Sequence, residues 1–271
     1  MKNIEEKEMS FLDHLEELRW HLIRSLAAII VFAVLAFMNK EILFHDIILA
    51  PTRADFWTYL KFCELGKLTG FPELCVEKMN FIIQNRTVMG QFTTHITISF
   101  VAGLVIAFPY VFWEIWRFIK PGLYDLESSV TSGAVFWVSV LFLLGTAFGY
   151  FILAPISLNF LANYVIDPTI ENQFDLLSYI SMITTLVLAC GLMFQLPMVI
   201  YVLAKFSIIR ASMLKAFRRH SIVVILLISA IITPTSDPFT LLLVALPLYL
   251  LYETGILLAA RVEVRQSKGN A

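Results

Sequence analysis

Long apolar stretches with almost no charged side chains dominate this chain of 271 residues. Hydrophobic residues make up 59% of the sequence and charged residues 15%, against about 45–50% and about 25% in water-soluble domains. A helix needs about 20 apolar residues to cross the hydrocarbon core of a bilayer. We therefore predict an all-α polytopic membrane protein, 1–271, with six transmembrane helices at residues 21–38, 96–119, 130–156, 176–203, 221–233 and 239–260.

The last two predicted spans are short, and only the turn 234–238 separates them. At about 1.5 Å of rise per residue, the fifth span is only about 20 Å long. The two segments form either one re-entrant hairpin or two crossings of a locally thinned bilayer, which hydrophobic mismatch permits at modest cost. We favour two short crossings.

The distribution of lysine and arginine predicts the orientation, because short cytoplasmic loops are enriched in these residues. The connections 157–175 and 234–238 contain acids but no lysine or arginine, which predicts that they are periplasmic. The long loop 39–94 balances six basic residues with six acidic ones and is too long for the rule. Both termini are therefore predicted to be cytoplasmic, together with the remaining segments that contain basic residues: 1–20, 120–129, 204–219 and 261–271.

Two cysteines, Cys63 and Cys75, lie in the loop 39–94. The predicted orientation places them in the oxidising periplasm, where disulfides form and persist. A bond between them that pins the loop is one interpretation, and two free thiols in a loosely ordered segment are the other.

The cytoplasmic segment 1–20 predicts an amphipathic helix that continues into the first span. Asp13, Glu16 and Glu17 fall at i, i+3 and i+4, so three carboxylates crowd one face and repel one another. A cationic partner would relieve this repulsion. The alternative is a solvated face that only positions the helix, as is usual for runs of charge.

The connection after the second span contains further carboxylates. Glu114 and Arg117 are three residues apart, which predicts an ion pair near the membrane boundary. Pro121 begins a helix-breaking Pro-Gly pair at the point where the chain leaves the bilayer. Glu127 has no basic residue three or four positions away, so it remains an unpaired carboxylate beside the membrane.

Several short motifs occur in a characteristic order between about residue 10 and residue 260. They are His14-Leu-Glu-Glu-Leu-Arg19, Phe118-Ile-Lys-Pro-Gly-Leu-Tyr-Asp-Leu-Glu127, Phe194-Gln-Leu-Pro197, Thr233-Pro-Thr-Ser-Asp237, Ala245-Leu-Pro247 and Tyr252-Glu253. With this span count, the chain resembles the TatC family, the multi-span subunit of the twin-arginine protein translocase. The resemblance implies a curved, cupped bundle that receives the signal peptides of folded export substrates.

The resemblance implies a binding site for those signal peptides. Glu17 and Glu127 match the two cytoplasmic carboxylates with which the family binds the paired arginines of the peptide, and Arg19 matches a neighbouring family arginine. Arginine presents a planar fork that pairs bidentately with a carboxylate, whereas lysine presents a point charge. Two separated carboxylates can therefore select two successive arginines over lysines.

The resemblance also implies roles for polar residues in the later spans. Gln195 occupies a place where many family members have a glutamate; it either polarises the concave face or forms a helix–helix hydrogen bond beside the kink at Pro197. Glu253 matches a family glutamate that either contacts a partner helix or extends to the cytoplasmic interface. Asp237 is expected to have a structural role, capping the start of the sixth span.

The expected partners also follow from the resemblance. Single-span TatA/TatB-type subunits assemble with this subunit in an oligomeric complex of the inner membrane, and the proton gradient drives transport. The sequence contains none of the common hydrolase, metal-helix or nucleotide-binding motifs, so we expect no enzyme activity, cofactor or metal. The net charge of -1 argues against nucleic acid as a partner.

An ion- or proton-coupled transporter is the alternative function. It would use Glu114, Gln195 and Glu253 as a polar path through the membrane. The lack of internal repeats and the scarcity of ionisable groups at mid-membrane depth argue against it.

Overall fold

The computed structural model describes residues 11–71, 75, 81–119, 131–167, 169–233 and 238–269. Within these residues the chain is predominantly helical. The helices are α1 (Phe11–Met38), α2 (Trp57–Thr69), α3 (Gly90–Ile119), α4 (Thr131–Phe148), α5 (Ala154–Asn163), α6 (Leu176–Met193), α7 (Leu196–Lys205), α8 (Ala211–Ala216), α9 (Arg218–Ile232) and α10 (Pro238–Gly269). π-helical turns lie at Ile42–Ile48 and Gly149–Leu153, and a 3-10 turn at Ala50–Thr52. Strands β1 (Ile82–Gln84) and β2 (Gln173–Asp175) pair in parallel.

Five helical segments of the described chain are long and apolar enough to cross a membrane: Glu16–Met38, Gly90–Ile119, Gly133–Asn163, Leu176–Lys205 and Thr240–Gln266. They correspond to five of the six predicted spans. The other predicted span, 221–233, lies almost entirely within α9, which has only 15 residues and falls below the length of the other five. Six crossings therefore stay a prediction.

One compact unit contains residues 1–38 and 99–139. Its helices α1 and α3 approach closely at Gly103, where an added Cβ would lie 2.6 Å from the backbone nitrogen of Ala33 and 2.7 Å from the carbonyl oxygen of Ile29. Small residues permit such close backbone contact between membrane helices. A second contact joins His21 to Glu114, so α1 and α3 run antiparallel.

The other compact unit contains residues 39–98 and 140–271. Its core includes the fully buried side chains of Leu153, Leu186 and Ile256. Helix α6 packs against the π-helical turn at Gly149, where an added Cβ would meet the carbonyl oxygen of Leu186 at 2.8 Å. Helix α10 packs along α7, α8 and α9. The long terminal helix thus holds the three shorter helices of this unit together.

The helix is interrupted between α6 and α7, just before Pro197. Phe194 caps the C-terminal end of α6, and Gln195 precedes the first residue of α7. Pro197 lies in the first turn of α7, where its missing N–H would have had no helical partner. The break therefore costs little in backbone hydrogen bonding.

The loop 39–94 is held by tyrosine hydroxyl groups. The Tyr59 hydroxyl lies 3.0 Å from the carbonyl oxygens of both Pro51 and Pro155, and can donate to either. Tyr179 donates to the carbonyl oxygen of Ile48 at 2.6 Å. Burial raises the pKa of the Tyr59 hydroxyl above its ordinary value, so it remains a neutral donor. These bonds satisfy carbonyl groups in the π-helical and 3-10 turns, where regular helical partners are missing.

A disulfide bond joins Cys63 on α2 to Cys75. Further along the loop, β1 pairs with β2, and the rings of Phe81 and Phe174 lie 4.8 Å apart beside this sheet. The structure therefore has the disulfide bond, and the described part of this loop does not fit the alternative of two free thiols in a loosely ordered segment.

Candidate functional site

Glu17 lies near the start of α1, and its carboxylate remains partly open to solvent. Its side chain is 40% exposed, and its Oε1 lies 4.0 Å from Nε2 of His21, one helical turn later. That distance is longer than a hydrogen bond. The carboxylate is thus held loosely from one side and retains most of its acceptor capacity for an external donor.

The neighbouring charges on α1 are more exposed. Arg19 Nη2 lies 3.4 Å from Glu16 Oε1, and both side chains are well solvated. The Arg19 guanidinium also lies 5.6 Å from the ring centroid of Trp20. Such an exposed pair contributes little to stability, and its effect is to order the flank of Glu17.

Glu114 is the most enclosed carboxylate among the described residues of the first unit. Its side chain is 2% exposed, and its Oε2 contacts Nδ1 of His21. Tyr110 donates its hydroxyl to Glu114 Oε1 at 2.9 Å, and Arg24 Nη1 lies 3.9 Å from Oε2. Both oxygens of this buried carboxylate therefore have polar partners, as burial requires.

The predicted pairing of Glu114 with Arg117 is wrong. The Arg117 guanidinium lies 5.7 Å from the ring centroid of Trp113 instead. Residues three apart on a helix can meet, but Glu114 faces α1, and the cations on that helix are its partners. The structure brings Glu114 together with His21 and Arg24, and sequence reasoning missed both. The sequence did offer one local signal for the involvement of His21: it lies one helical turn after Glu17 on the same helix.

Three residues predicted for the site or its framework lie outside the described residues: Pro121, Glu127 and Asp237. The distance between Glu17 and Glu127 is thus not defined by the structure, and their pairing as one site stays a prediction.

Gln195 lies at the break between α6 and α7. It precedes the first residue of α7, and its Nε2 donates to the carbonyl oxygen of Gly191 at 3.4 Å. The side-chain amide is thus hydrogen-bonded to a backbone carbonyl group one turn earlier, near the end of α6. This contact lies within one polypeptide stretch, and the two roles drawn from the resemblance, polarising a concave face or forming a helix–helix bond, stay predictions.

Glu253 contacts another helix of the same chain. Arg218 of α9 donates to its Oε2 at 2.7 Å, and Tyr249 donates to its Oε1 at 3.0 Å. The carboxylate side chain is 26% exposed. Glu253 therefore joins α9 to α10, and the two roles expected from the resemblance, contact with a partner helix or extension to the cytoplasmic interface, stay predictions.

The described residues contain no group of three or more His, Cys, Asp or Glu side chains arranged to hold a metal ion. The polar clusters found above instead combine carboxylates with His, Arg and Tyr donors. Such an arrangement can orient a carboxylate and bind a cationic group, and it contains no nucleophile activated by a base.

Comparison with known proteins assigns the chain to a family. The model of the family described as Sec-independent protein translocase protein (TatC) matches residues 13–247. A TatC protein from Blattabacterium sp. subsp. Periplaneta americana is 38% identical over 268 residues, which cover 98% of this chain and 100% of the relative. One from Helicobacter pylori strain J99 is 42% identical over 167 residues, 62% of this chain and 66% of the relative.

Two crystal structures of the twin-arginine translocase receptor TatC are also similar. One has a TM-score of 0.66 and 31% identity, and covers 92% of this chain and 99% of its own. The other, in DDM, has a TM-score of 0.69 and 34% identity, with 91% and 99% covered. Sequence and fold agree over almost the whole length, and the chain belongs to the TatC family of Sec-independent protein translocase proteins.

Proposed function

We propose that this chain is the signal-peptide receptor of a twin-arginine translocase, and that Glu17 and Glu127 bind the paired arginines of the peptide. The observation that carries the proposal is the state of Glu17: a carboxylate near the start of a membrane-length apolar helix, 40% exposed and only loosely held. Membership in a translocase family and the name of the similar crystal structures, which are receptors, support it.

The chemistry favours arginine as the ligand. A carboxylate with free oxygens accepts two parallel N–H bonds from a guanidinium, and this geometry is not available to lysine. Near the headgroups such a contact is stronger than the roughly 0–1 kcal/mol of an exposed ion pair. Arg19 flanks this carboxylate, and its pairing with Glu16 directs its charge away from an incoming guanidinium.

We propose a multi-pass inner-membrane topology with six crossings and both termini cytoplasmic. The disulfide between Cys63 and Cys75 supports a periplasmic position for the loop 39–94, because disulfides persist in oxidising compartments. Helix α9 would then cross a thinned bilayer. Labelling of free thiols in the denatured chain, with and without reductant, tests the disulfide on which this position of the loop depends. One labelled cysteine, Cys190, without reductant and three with it is the expected result.

We propose that single-span TatA/TatB-type subunits bind this chain in an oligomeric complex that the proton gradient drives. Glu253 is a candidate contact, and a partner helix that binds there would compete with Arg218 for the carboxylate. Gln195 is a second candidate. Its amide cannot ionise, so any proton transfer that drives transport has to use another group.

Site-specific crosslinking of a twin-arginine signal peptide to the membrane-embedded chain tests the receptor proposal. Glu17→Gln and Glu127→Gln each remove one charge with little change in shape, and each should lower the crosslinking yield. Glu64→Gln is the matched control, because Glu64 is an exposed carboxylate paired with Lys61 outside the site. An unchanged yield in the double variant would count against the assignment, and substrate flux through vesicles containing this chain alone would favour a transporter.

A further inference from the structure

A buried histidine lies between the carboxylate of the proposed receptor site and a second, enclosed carboxylate. His21 is 6% exposed in its side chain. Its Nε2 faces Glu17 on the same helix at 4.0 Å, and its Nδ1 contacts Glu114 on α3. Both ring nitrogens therefore face carboxylate oxygens, and one of these carboxylates belongs to the proposed peptide site.

The orientation of this imidazole is fixed from the α3 side. Glu114 is itself held, because Tyr110 donates to its other oxygen at 2.9 Å. The ring of Phe118 lies 6.1 Å from the imidazole, tilted by 59°. With Nδ1 fixed by Glu114 and the ring enclosed, Nε2 has one direction in which to point, toward Glu17.

We infer that His21 is a positioning residue for signal-peptide recognition: held by Glu114, it orients the Glu17 carboxylate so that a guanidinium can bind it with two hydrogen bonds. The inference rests on the proposed receptor function. It concerns selectivity, because a planar fork requires a defined carboxylate plane, whereas the compact ammonium group of lysine does not. Loss of the orientation should weaken an Arg-Arg peptide more than a Lys-Lys peptide.

The 4.0 Å separation suits this role. A close hydrogen bond from His21 would occupy a Glu17 oxygen and compete with the peptide. A carboxylate has about four lone-pair sites on two oxygens, and an imidazole at 4.0 Å limits the positions that the carboxylate can take while leaving these sites available. Arg24 lies on the Glu114 side of the imidazole and is 48% exposed, so it partly balances the buried carboxylate.

The polar groups around this imidazole come from both helices. Glu17 and Arg24 lie on α1, and Tyr110 and Glu114 lie on α3. Of the two carboxylates, Glu17 is the one that is open to solvent, so an effect of His21 on peptide binding should be transmitted through Glu17.

The test measures equilibrium binding of labelled Arg-Arg and Lys-Lys signal peptides to the full chain in nanodiscs. His21→Asn keeps an amide near the position of Nδ1 and so retains a donor for Glu114. His21→Gln places its amide near the position of Nε2, toward Glu17. We expect His21→Asn to lower the Arg-Arg preference about fivefold, the size of one modest contact, and His21→Gln to retain most of it.

The outcomes separate the inference from the receptor proposal. If Glu17→Gln leaves Arg-Arg binding unchanged, the receptor proposal fails. If Glu17→Gln weakens binding but the two His21 variants bind alike, the receptor stands and the inference is overturned. If both His21 variants fail to fold, Tyr110→Phe decides, because it loosens Glu114 and leaves Glu17 and His21 in place: an unchanged Arg-Arg preference rejects the role of His21.

Discussion

Two glutamates on membrane-length helices, Glu114 and Glu253, have the same kind of local partner and different distant ones. Glu114 accepts the hydroxyl of Tyr110, and Glu253 accepts that of Tyr249, in each case from one turn earlier. The cation of Glu253 is Arg218, and this pair is partly solvated, at 44% and 26% side-chain exposure. Glu114 is 2% exposed and relies on His21. The same local motif is thus used once at a solvated helix contact and once in an enclosed one.

The comparison shows how burial changes the consequence of losing a partner. Water can replace Arg218 at Glu253, so the exposed pair is a modest contact. Water has little access to Glu114, and removal of His21 would leave this buried carboxylate with only the Tyr110 hydroxyl and Arg24, 3.9 Å away, as partners. The enclosed cluster should therefore lose more stability than the solvated one when a partner is removed.

His21→Leu should have the largest effect on stability. It removes the principal partner of Glu114, and breaking a buried charge pair typically costs about 3 kcal/mol or more. Chemical denaturation of the purified chain in detergent measures the free energy of unfolding. A loss no larger than that of Arg218→Leu would show that the two clusters are energetically equivalent.

Gly103→Ala should come next. The new Cβ would lie 2.6 Å from the backbone of Ala33, so α1 and α3 must separate, at a cost of about 2 kcal/mol. The separation would also weaken the contact between His21 and Glu114. Gly133→Ala is the control in the same unit: its Cβ would meet its nearest neighbour, Trp137, at 4.0 Å, and no loss is expected. Equal stability of the two variants would contradict a close α1–α3 contact.

Tyr110→Phe should lower the melting temperature more than Tyr249→Phe. Each variant removes one hydroxyl that donates to a carboxylate, at 2.9 Å and 3.0 Å respectively. Only at Glu114 does the lost bond leave an oxygen without access to water. We expect a decrease of about 3 °C for Tyr110→Phe and a smaller one for Tyr249→Phe, by differential scanning calorimetry. The reverse order would show that the solvent exposure of the carboxylate does not determine how much each hydrogen bond contributes to stability.

Arg218→Leu should have the smallest effect, about 0.5 kcal/mol, because its pair with Glu253 is partly solvated. Raising the salt concentration should reduce the difference between variant and wild type, since screening already weakens the pair. Denaturation at low and at high salt measures this. A difference that does not change with salt would indicate that Arg218 contributes through packing of its aliphatic stem.

Apolar length predicted the spans well because crossing a bilayer imposes a minimum run of hydrophobic residues. Three candidate spans include the whole of the predicted segments 21–38, 96–119 and 176–203, and the candidate span in α10 leaves out only residue 239 of the segment 239–260. The structure extends beyond the predicted segments before residues 21 and 96 and after residues 203 and 260. Helix α9 shows the limit of the criterion, since 15 residues are too few for length alone to decide. The order within the loop 39–94 was not predictable, because β1 pairs with a strand about 90 positions away along the chain.

In the candidate site, the sequence allows predictions only of contacts between residues that are close along the chain. The i, i+3 rule favoured Glu114 with Arg117 and failed, because the side of α3 that faces α1 decides the partner. His21 and Glu114 are 93 positions apart, so their contact arises from packing at Gly103 and has no local pattern. Glu17 was identified by its motif, whereas the contact with His21, one helical turn later, was missed.

The hydroxyl groups that hold the loop 39–94 have a consequence for the ionic environment. Tyr59, Tyr150 and Tyr179 all bond to backbone carbonyl oxygens, so they form neutral pairs. Dissolved ions screen charges and leave such dipolar bonds nearly unaffected. A segment fastened in this way should keep its shape in dilute and in concentrated salt solution alike.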